Sequence, residues 1–397
     1  MELAAARLAS LSPLELAVRV HDRFATLTSG SRTADARQRT LRKAVDWSHD
    51  LLAPAEKVLL RRLAVFRGGW TLAAAEDVVT DDALPEAAVL DVLERLVKQS
   101  LVIADHAGGV TRYRMLETLR QYAAERLQAA AEGDLLAAAH AAHYLQLGEL
   151  AEIGLRGRAQ ERWLATLREE HANLRAALAW FGSVPGQVDG ALRLAGSLGL
   201  YWHLGRHLEG RETLDRVTAL PGGSPEARAR ALQAVSLAER PTACIVHPSP
   251  RCAAAASASL EIFEQVDDQP RAAFSRLLLA VEGVAASPHV DAGALLDEAS
   301  RQFVALGDDW GLAVVAFARM EILAKRGDEA SMRRAAEEAI ARFRALSERL
   351  GTVGRALPPG LGAAAVQPAG RRRAGAGGGD RGCRPGRRLQ HGAVGYR

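Results

Sequence analysis

Residues 259–280, SLEIFEQVDDQPRAAFSRLLLA, lie over residues 299–320, ASRQFVALGDDWGLAVVAFARM, at an offset of 40, which sets Phe263 on Phe303 and Asp268 on Asp308. The offset recurs: Phe343 and Gly351 fall 40 beyond Phe303 and Gly311, so ARFRALSERLGTVGRAL opens a third copy. Each copy reads as a helix, a short polar turn and a second helix. Such a pair cannot bury its apolar face alone, so successive copies must stack as an α-solenoid. The composition agrees, because 48% hydrophobic residues with only 5% aromatics suit helices packed through Ala, Leu and Val.

Further helices are expected upstream of the repeat. The longest is predicted from Arg158 to Phe181, with Trp163, Leu167, Leu174, Leu178 and Phe181 spaced in threes and fours. Others are predicted near Ala191 to Leu204, Leu208 to Ala219 and Pro225 to Ala238. A breaker-rich patch, Pro241 to Pro250, separates them from the repeat.

The stretch from Gln38 to Leu127 is patterned differently. A helix is expected from about Ala36 to Leu52, with Leu41, Val45, Ser48 and Leu52 on one face and Trp47 beside them. Pro54 and Glu56 open the next helix, in which Leu59, Leu63 and Phe66 fall at i, i+4 and i+7 before Gly68 and Gly69 end it. Thr71 is a plausible cap for a short helix through Val79, and Pro85 and Glu86 start another with Val89, Leu93, Leu96 and Val97 inward. Leu101 to Ile103 and Val110 to Met115 then read as a hairpin, with Tyr113 and Met115 on one side and Arg112 and Arg114 on the other. Three helices followed by a hairpin is the order of a winged helix.

The net charge of +4 suggests nucleic acid until it is located. From Arg371 to Arg397 there are eight Arg and one Asp, which leaves the rest of the chain net acidic. Between Gln38 and Gln128 thirteen Lys and Arg balance thirteen Asp and Glu, which is no electrostatic footprint for a phosphate backbone. The exposed residues expected on the third winged-helix helix are Glu86, Asp91, Glu94, Arg95 and Lys98, three acids against two bases. Arg112 and Arg114 on the wing read either as phosphate contacts or as solvated arginines guarding a strand edge.

No metal site is expected. His203 and His207 are spaced i, i+4 and His140 and His143 i, i+3, but neither pair has a third ligand in register. Cys244, Cys252 and Cys383 match no disulfide framework or zinc pattern. No apolar run approaches the roughly 20 residues of a membrane span, and the start lacks the basic-then-apolar order of a signal peptide, so a cytoplasmic location is expected.

Three stretches carry a family resemblance. RTLRKAVDWSHDLLAPAEKVLLRRLAVFRGGWTLAAAEDVV and SLVIADHAGGVTRYRMLETLRQYAAERL resemble the winged helix of the signal-transduction ATPases with numerous domains, the STAND class. EEHANLRAALAW resembles the start of that class's tetratricopeptide-type sensor region. From Met1 to about Leu350 the chain is similar to the NB-ARC-like bacterial transcriptional regulators of the LuxR and AfsR type. ELAAARLASLS looks like part of their ATPase lid. The class's P-loop, G-x-x-x-x-G-K-[ST], occurs nowhere in the chain, so ATP hydrolysis is not expected and no cofactor is assigned. Where related ATPases carry a Met-His-Asp whose His contacts nucleotide phosphates, this chain has Met115, Leu116 and Glu117. Leu116 cannot donate a hydrogen bond, which makes core packing of Met115 and Leu116 the simpler expectation.

The expected architecture is mostly α: a winged-helix domain followed by a tetratricopeptide-like α-solenoid. Residues 1–35 are expected to be a remnant of the helical ATPase lid plus linker, 36–130 the winged helix, 131–355 the helical repeats, and 356–397 a disordered Gly/Arg-rich tail consistent with an out-of-frame extension. The resemblance implies the regulatory and sensor portion of a transcriptional regulator. Its expected partners are a protein or small effector on the helical repeats, with Trp163, Trp180, Trp202 and Trp310 available as anchors, and an ATPase module in trans. Direct DNA binding and membrane association are not expected. The competing readings are a free-standing protein-interaction adaptor and a DNA-binding regulator acting through the winged helix.

Overall fold

The computed structural model describes residues 42, 45–106, 109–238, 249–286 and 291–346. The expected lid helices, residues 36–41, 43 and 44 of the helix expected from Ala36 to Leu52, and the Gly/Arg-rich tail lie outside the described residues. So does the second helix of the third repeat copy.

Residues 45–50 are helical and lead into α1 (Pro54–Arg62). Pro54 sits where its missing N–H costs nothing, and the Glu56 carboxylate turns back to accept the Ala53 N–H at 2.9 Å. Leu59, Leu63 and Phe66 are all buried, as their spacing predicts, although the α-helix stops at Arg62 and tightens into a 3-10 turn over Leu63–Val65. A two-residue strand, β1 (Trp70–Thr71), follows that the alternation could not reveal. Thr71 also caps α2 (Leu72–Val79), its hydroxyl accepting from Ala74 N–H at 3.2 Å. Then come α3 (Glu86–Lys98), with Val89, Val92, Leu93 and Leu96 buried, and the strands β2 (Ile103–Asp105) and β3 (Arg112–Arg114).

The three strands form one antiparallel sheet in the order β1-β3-β2, with Tyr113 of β3 facing Trp70 on one side and Ala104 on the other. This makes β3 the central strand. The reading of Arg112 and Arg114 as guards of a strand edge is therefore wrong. The sheet also explains the double glycine: Gly69 has φ +119°, and a Cβ there would sit 2.8 Å from the Tyr113 carbonyl oxygen.

Helices make up the remainder. After α4 (Glu117–Ala129), the 22-residue α5 (Gly133–Gly154) packs against α2 and α4 of the winged helix and against the array. The corner between them is fastened by an ionic cluster around the buried Arg62. Glu132 is held by Arg61 at 2.7 Å and by Arg62 at 2.9 Å, while Arg62 also reaches Asp81 at 2.5 Å and the Val79 carbonyl at 2.8 Å. These arginines hold both carboxyls down to about 2.

The predicted helix from Arg158 to Phe181 is in fact two, α6 (Gln160–Glu169) and α7 (His171–Ser183), broken at Glu170. Likewise 191–204 divides at Leu198 into α8 (Val188–Ser197) and α9 (Gly199–His203). The series continues with α10 (His207–Thr218), α11 (Pro225–Ala238), α12 (Pro250–Gln265), α13 (Gln269–Ala286), α14 (Ala292–Leu306), α15 (Asp309–Arg326) and α16 (Glu329–Leu346). Consecutive helices from α11 to α14, and α15 with α16, pack as neighbours, as the repeat requires. Phe263 and Phe303 are both buried at equivalent positions. Asp268 and Asp308 both cap the following helix, accepting from Arg271 N–H at 3.1 Å and Gly311 N–H at 2.8 Å. No helix among the described residues is long and apolar enough to cross a membrane.

One apolar cluster runs without interruption from Leu52 in the winged helix to Ala255 in α12, and a second takes over from Ala256 to Ile322. The winged helix is therefore not tethered beside the array. It shares the array's first core.

Candidate functional site

The break at Glu170 lies where the two halves meet. Asn173, on the first turn of α7, is fully buried, and its side chain is saturated. Its Oδ1 accepts the Arg67 N–H at 2.6 Å, and its Nδ2 donates to the Gly69 carbonyl at 2.9 Å and to Glu170 Oε2 at 2.7 Å. Arg67 and Gly69 belong to the turn that delivers the winged helix into β1, so one amide from the array closes a turn of the winged helix. Gly68 in that turn passes so close that a Cβ would meet Ala172 at 3.2 Å.

Glu170 reaches further. Its carboxylate accepts the Tyr144 hydroxyl at 2.9 Å and the guanidinium of Arg112, on the central strand of the wing. Burial and the adjacent Glu170 both push the Tyr144 hydroxyl up, so it stays protonated and donates. Arg112 also lies 3.6 Å from the more exposed Glu169, while its Nη2 is buried without a partner among the described residues. The wing arginine is thus bound to the array and cannot serve a phosphate. An aromatic path runs alongside: Phe66 stacks on Trp70 at 5.4 Å, meets His140 at 5.5 Å, and His140 meets Tyr144 at 4.6 Å.

Histidines 140 and 143 are part of this joint. His143 contacts Asp77 of α2 at 2.6 Å, and His140 Nε2 lies 3.3 Å from Asn173 Oδ1. Burial lowers the His140 imidazole to about 4, with the bond to Asn173 opposing the shift. Because the unfolded chain takes up this proton near its ordinary value and the folded chain does not, the associated stability is present in full above about pH 6.5 and is lost as pH falls towards 4. Between pH 7 and pH 5 the expected loss is about 2 kcal/mol. Urea midpoints at the two pH values measure it. His140→Gln should flatten the dependence, and a slope unchanged by that substitution would contradict the assignment. The second pair is also structural at one member, His203 Nδ1 lying 3.0 Å from the Leu237 carbonyl.

The outer face of α3 is as acidic as expected. Glu86, Asp91, Glu94, Arg95 and Lys98 are all exposed. Its two cations are already engaged, Arg95 with the buried Glu56 at 3.0 Å and Lys98 with Glu94 at 3.6 Å. Core packing of Leu116 is not found: it is 54% exposed at the N-cap of α4, and only Met115 packs against the core. The chain turns outward there because α4 starts at Glu117, whose side chain is drawn to Arg120 at 2.8 Å.

The C-terminal half of α5 runs along one face of the array. Glu149 pairs with Arg193 of α8 and Arg230 of α11, Glu152 with Arg230 and Arg271 of α13, and Arg156 lies over the rings of Phe274 and Trp310. Trp202 and Trp310 are buried, while Trp163 and Trp180 are partly so. Helical periodicity could not find the joint, since Glu170 and Asn173 are polar. The one available signal was their presence in EEHANLRAALAW, beside the conformational demand of the double glycine in FRGGW.

Residues 52–128 match the winged helix-turn-helix domain family. The chain is 37% identical over 347 residues to proteins of Mycobacterium bovis and Mycobacterium tuberculosis named "Putative HTH-type transcriptional regulator". That similarity takes in 85% of this chain but 38% of the relatives, so the chain spans about two fifths of their length. A further, uncharacterized protein of Mycobacterium tuberculosis is 36% identical over 158 residues, 40% of each chain. Among solved structures, a STAND protein with a tetratricopeptide repeat sensor from Pyrococcus horikoshii aligns over 86% of this chain and 59% of its own, at 13% identity and a TM-score of 0.31.

Proposed function

We propose that the chain is the regulatory and sensor part of a STAND-type transcriptional regulator of the cytoplasm. Occupancy of the helical array is transmitted through Glu170 and Asn173 to the winged helix, and from there to an ATPase module acting in trans. The observation that carries this reading is the joint itself: buried polar side chains of the array complete a turn and hold the central strand of the winged helix. A winged helix built only to read DNA has no need of such bonds to a helical array. The relatives' names support a role in transcription, and the acidic, internally paired face of α3 favours a coupling domain over a reader of the major groove. The chain itself contains no P-loop motif, so it acts here without hydrolysing ATP.

Gel shifts of the full chain with promoter and scrambled duplexes, run from low salt to about 0.15 M, test the reading. The expected result is weak retardation that is equal for both duplexes and disappears as salt rises. Saturable, sequence-dependent retardation that survives at the upper salt concentration would overturn it in favour of direct DNA reading.

A further inference from the structure

The groove between α7, α9 and α10 has a volume of about 430 Å³, in the range of sites that take small organic molecules. Its walls are apolar. Leu174 and Leu178 come from α7, Tyr201 and Trp202 from α9, and Val217 from α10. Its rim is charged, and those charges are unevenly satisfied. Glu209 takes three neighbours at once: His171 Nε2 at 3.0 Å, Arg206 at 3.1 Å and Arg175 at 3.6 Å. Arg175 is the least committed of these, its side chain 71% exposed. Burial keeps His171 below its ordinary value, so it adds no charge at neutral pH. Arg216 and Glu212, also on the rim, have no partner among the described residues. Two arginines, Arg175 and Arg216, thus share the rim with two glutamates above a floor that includes two aromatic rings, and because Arg206, outside the lining, already pairs with Glu209, the two arginines outweigh the remaining Glu212.

We propose that this groove is an effector site for a small amphipathic anion, an organic acid with an apolar or aromatic body. The body packs against Leu178, Tyr201 and Trp202, and the acid group pairs with Arg216 and Arg175. The site has a direct route to the joint. His171, on its rim, follows Glu170 in sequence, and Leu174 on its wall follows Asn173, so a ligand here loads the same helical turn that closes the winged helix. Transmission to the winged helix rests on the function proposed above, whereas binding does not.

The test uses 8-anilinonaphthalene-1-sulfonate, an aromatic anion of suitable size, titrated into the full chain and displaced with indole-3-acetate, octanoate and the corresponding amides. Saturable binding is expected, with displacement by the acids and not by the amides. Arg216→Gln should weaken probe binding about tenfold, as removal of one charge-assisted bond does. Ala179→Trp, at an exposed position of α7 on the groove, should abolish it by filling the space. Both sites are exposed, so circular dichroism and urea midpoints should match the parent chain. Equal probe binding in both variants and the parent, or equal displacement by acids and amides, would overturn the site. Specific binding that leaves hydrogen exchange of β3 unchanged supports the site and counts against transmission alone.

Discussion

Asn173→Ala should destabilise the chain by about 4 kcal/mol, because truncation leaves the Arg67 N–H and the Gly69 carbonyl unpaired at roughly 1–3 kcal/mol each and also removes a bond to Glu170. Few single polar substitutions cost this much. The loss should be local in origin: protection of the turn from Arg67 to Trp70 should fall before that of α13 or α15. Equilibrium urea unfolding measures the total, and hydrogen exchange its location. Asn173→Asp should be no better tolerated, since it sets a second carboxylate 2.7 Å from the first and cannot donate to Gly69. A loss below about 1 kcal/mol for Asn173→Ala would mean that the turn holds itself, without the array.

Glu170→Gln should cost about 3 kcal/mol, mostly through Arg112. The amide can still accept from Tyr144, but it removes the charge facing a half-buried guanidinium whose Nη2 already lacks a partner among the described residues. Only Glu169, at 3.6 Å and exposed, would remain to Arg112. If this is the cause, Arg112→Met should make the second substitution cheap. A double-mutant cycle should then give a coupling of about 2 kcal/mol between a residue of the wing and a residue of the array. Simple additivity of the two losses would show that the pair is adjacent without being coupled.

Much of the fold was legible because its determinants are local. Pro54 with Glu56 and Thr71 are caps that act within four residues, and each acts as its spacing implies, while the offset of 40 places Asp268 and Asp308 at positions that the structure shows to be equivalent caps. The apolar stripes of α1 and α3 were legible for the same reason. What escaped is non-local. β1 is two residues long and exists only because β3 offers it an edge, so no alternation within 70–71 could announce it. Its absence from the expected sheet is why Arg112 was placed on an edge rather than in the centre. The break at Glu170 was hidden because the apolar spacing continues through it, and only the contacts of its carboxylate with Tyr144 and Arg112 explain why the helix turns there. Leu116 failed in the opposite sense. An apolar residue between two elements was expected inside, yet the start of α4 leaves it exposed.

The groove on the array shows the same limit. Helix pairs stacked in series expose an inner face in principle, but the sequence gives no sign that α5 extends far enough to pair with Arg193, Arg230 and Arg271 along it. A space does remain open between α7, α9 and α10, and it lies beside the joint.

The central claim is that the winged helix and the first helices of the array open together because Glu170 and Asn173 bind them. Native-state hydrogen exchange as a function of denaturant, followed at β3 and at α7 in the parent chain and in Glu170→Gln, tests it most directly. The account predicts one shared opening free energy for the two segments in the parent chain. In Glu170→Gln it predicts two values, with β3 lower than α7. Separate values in the parent chain, or a shared value that survives Glu170→Gln, would contradict it.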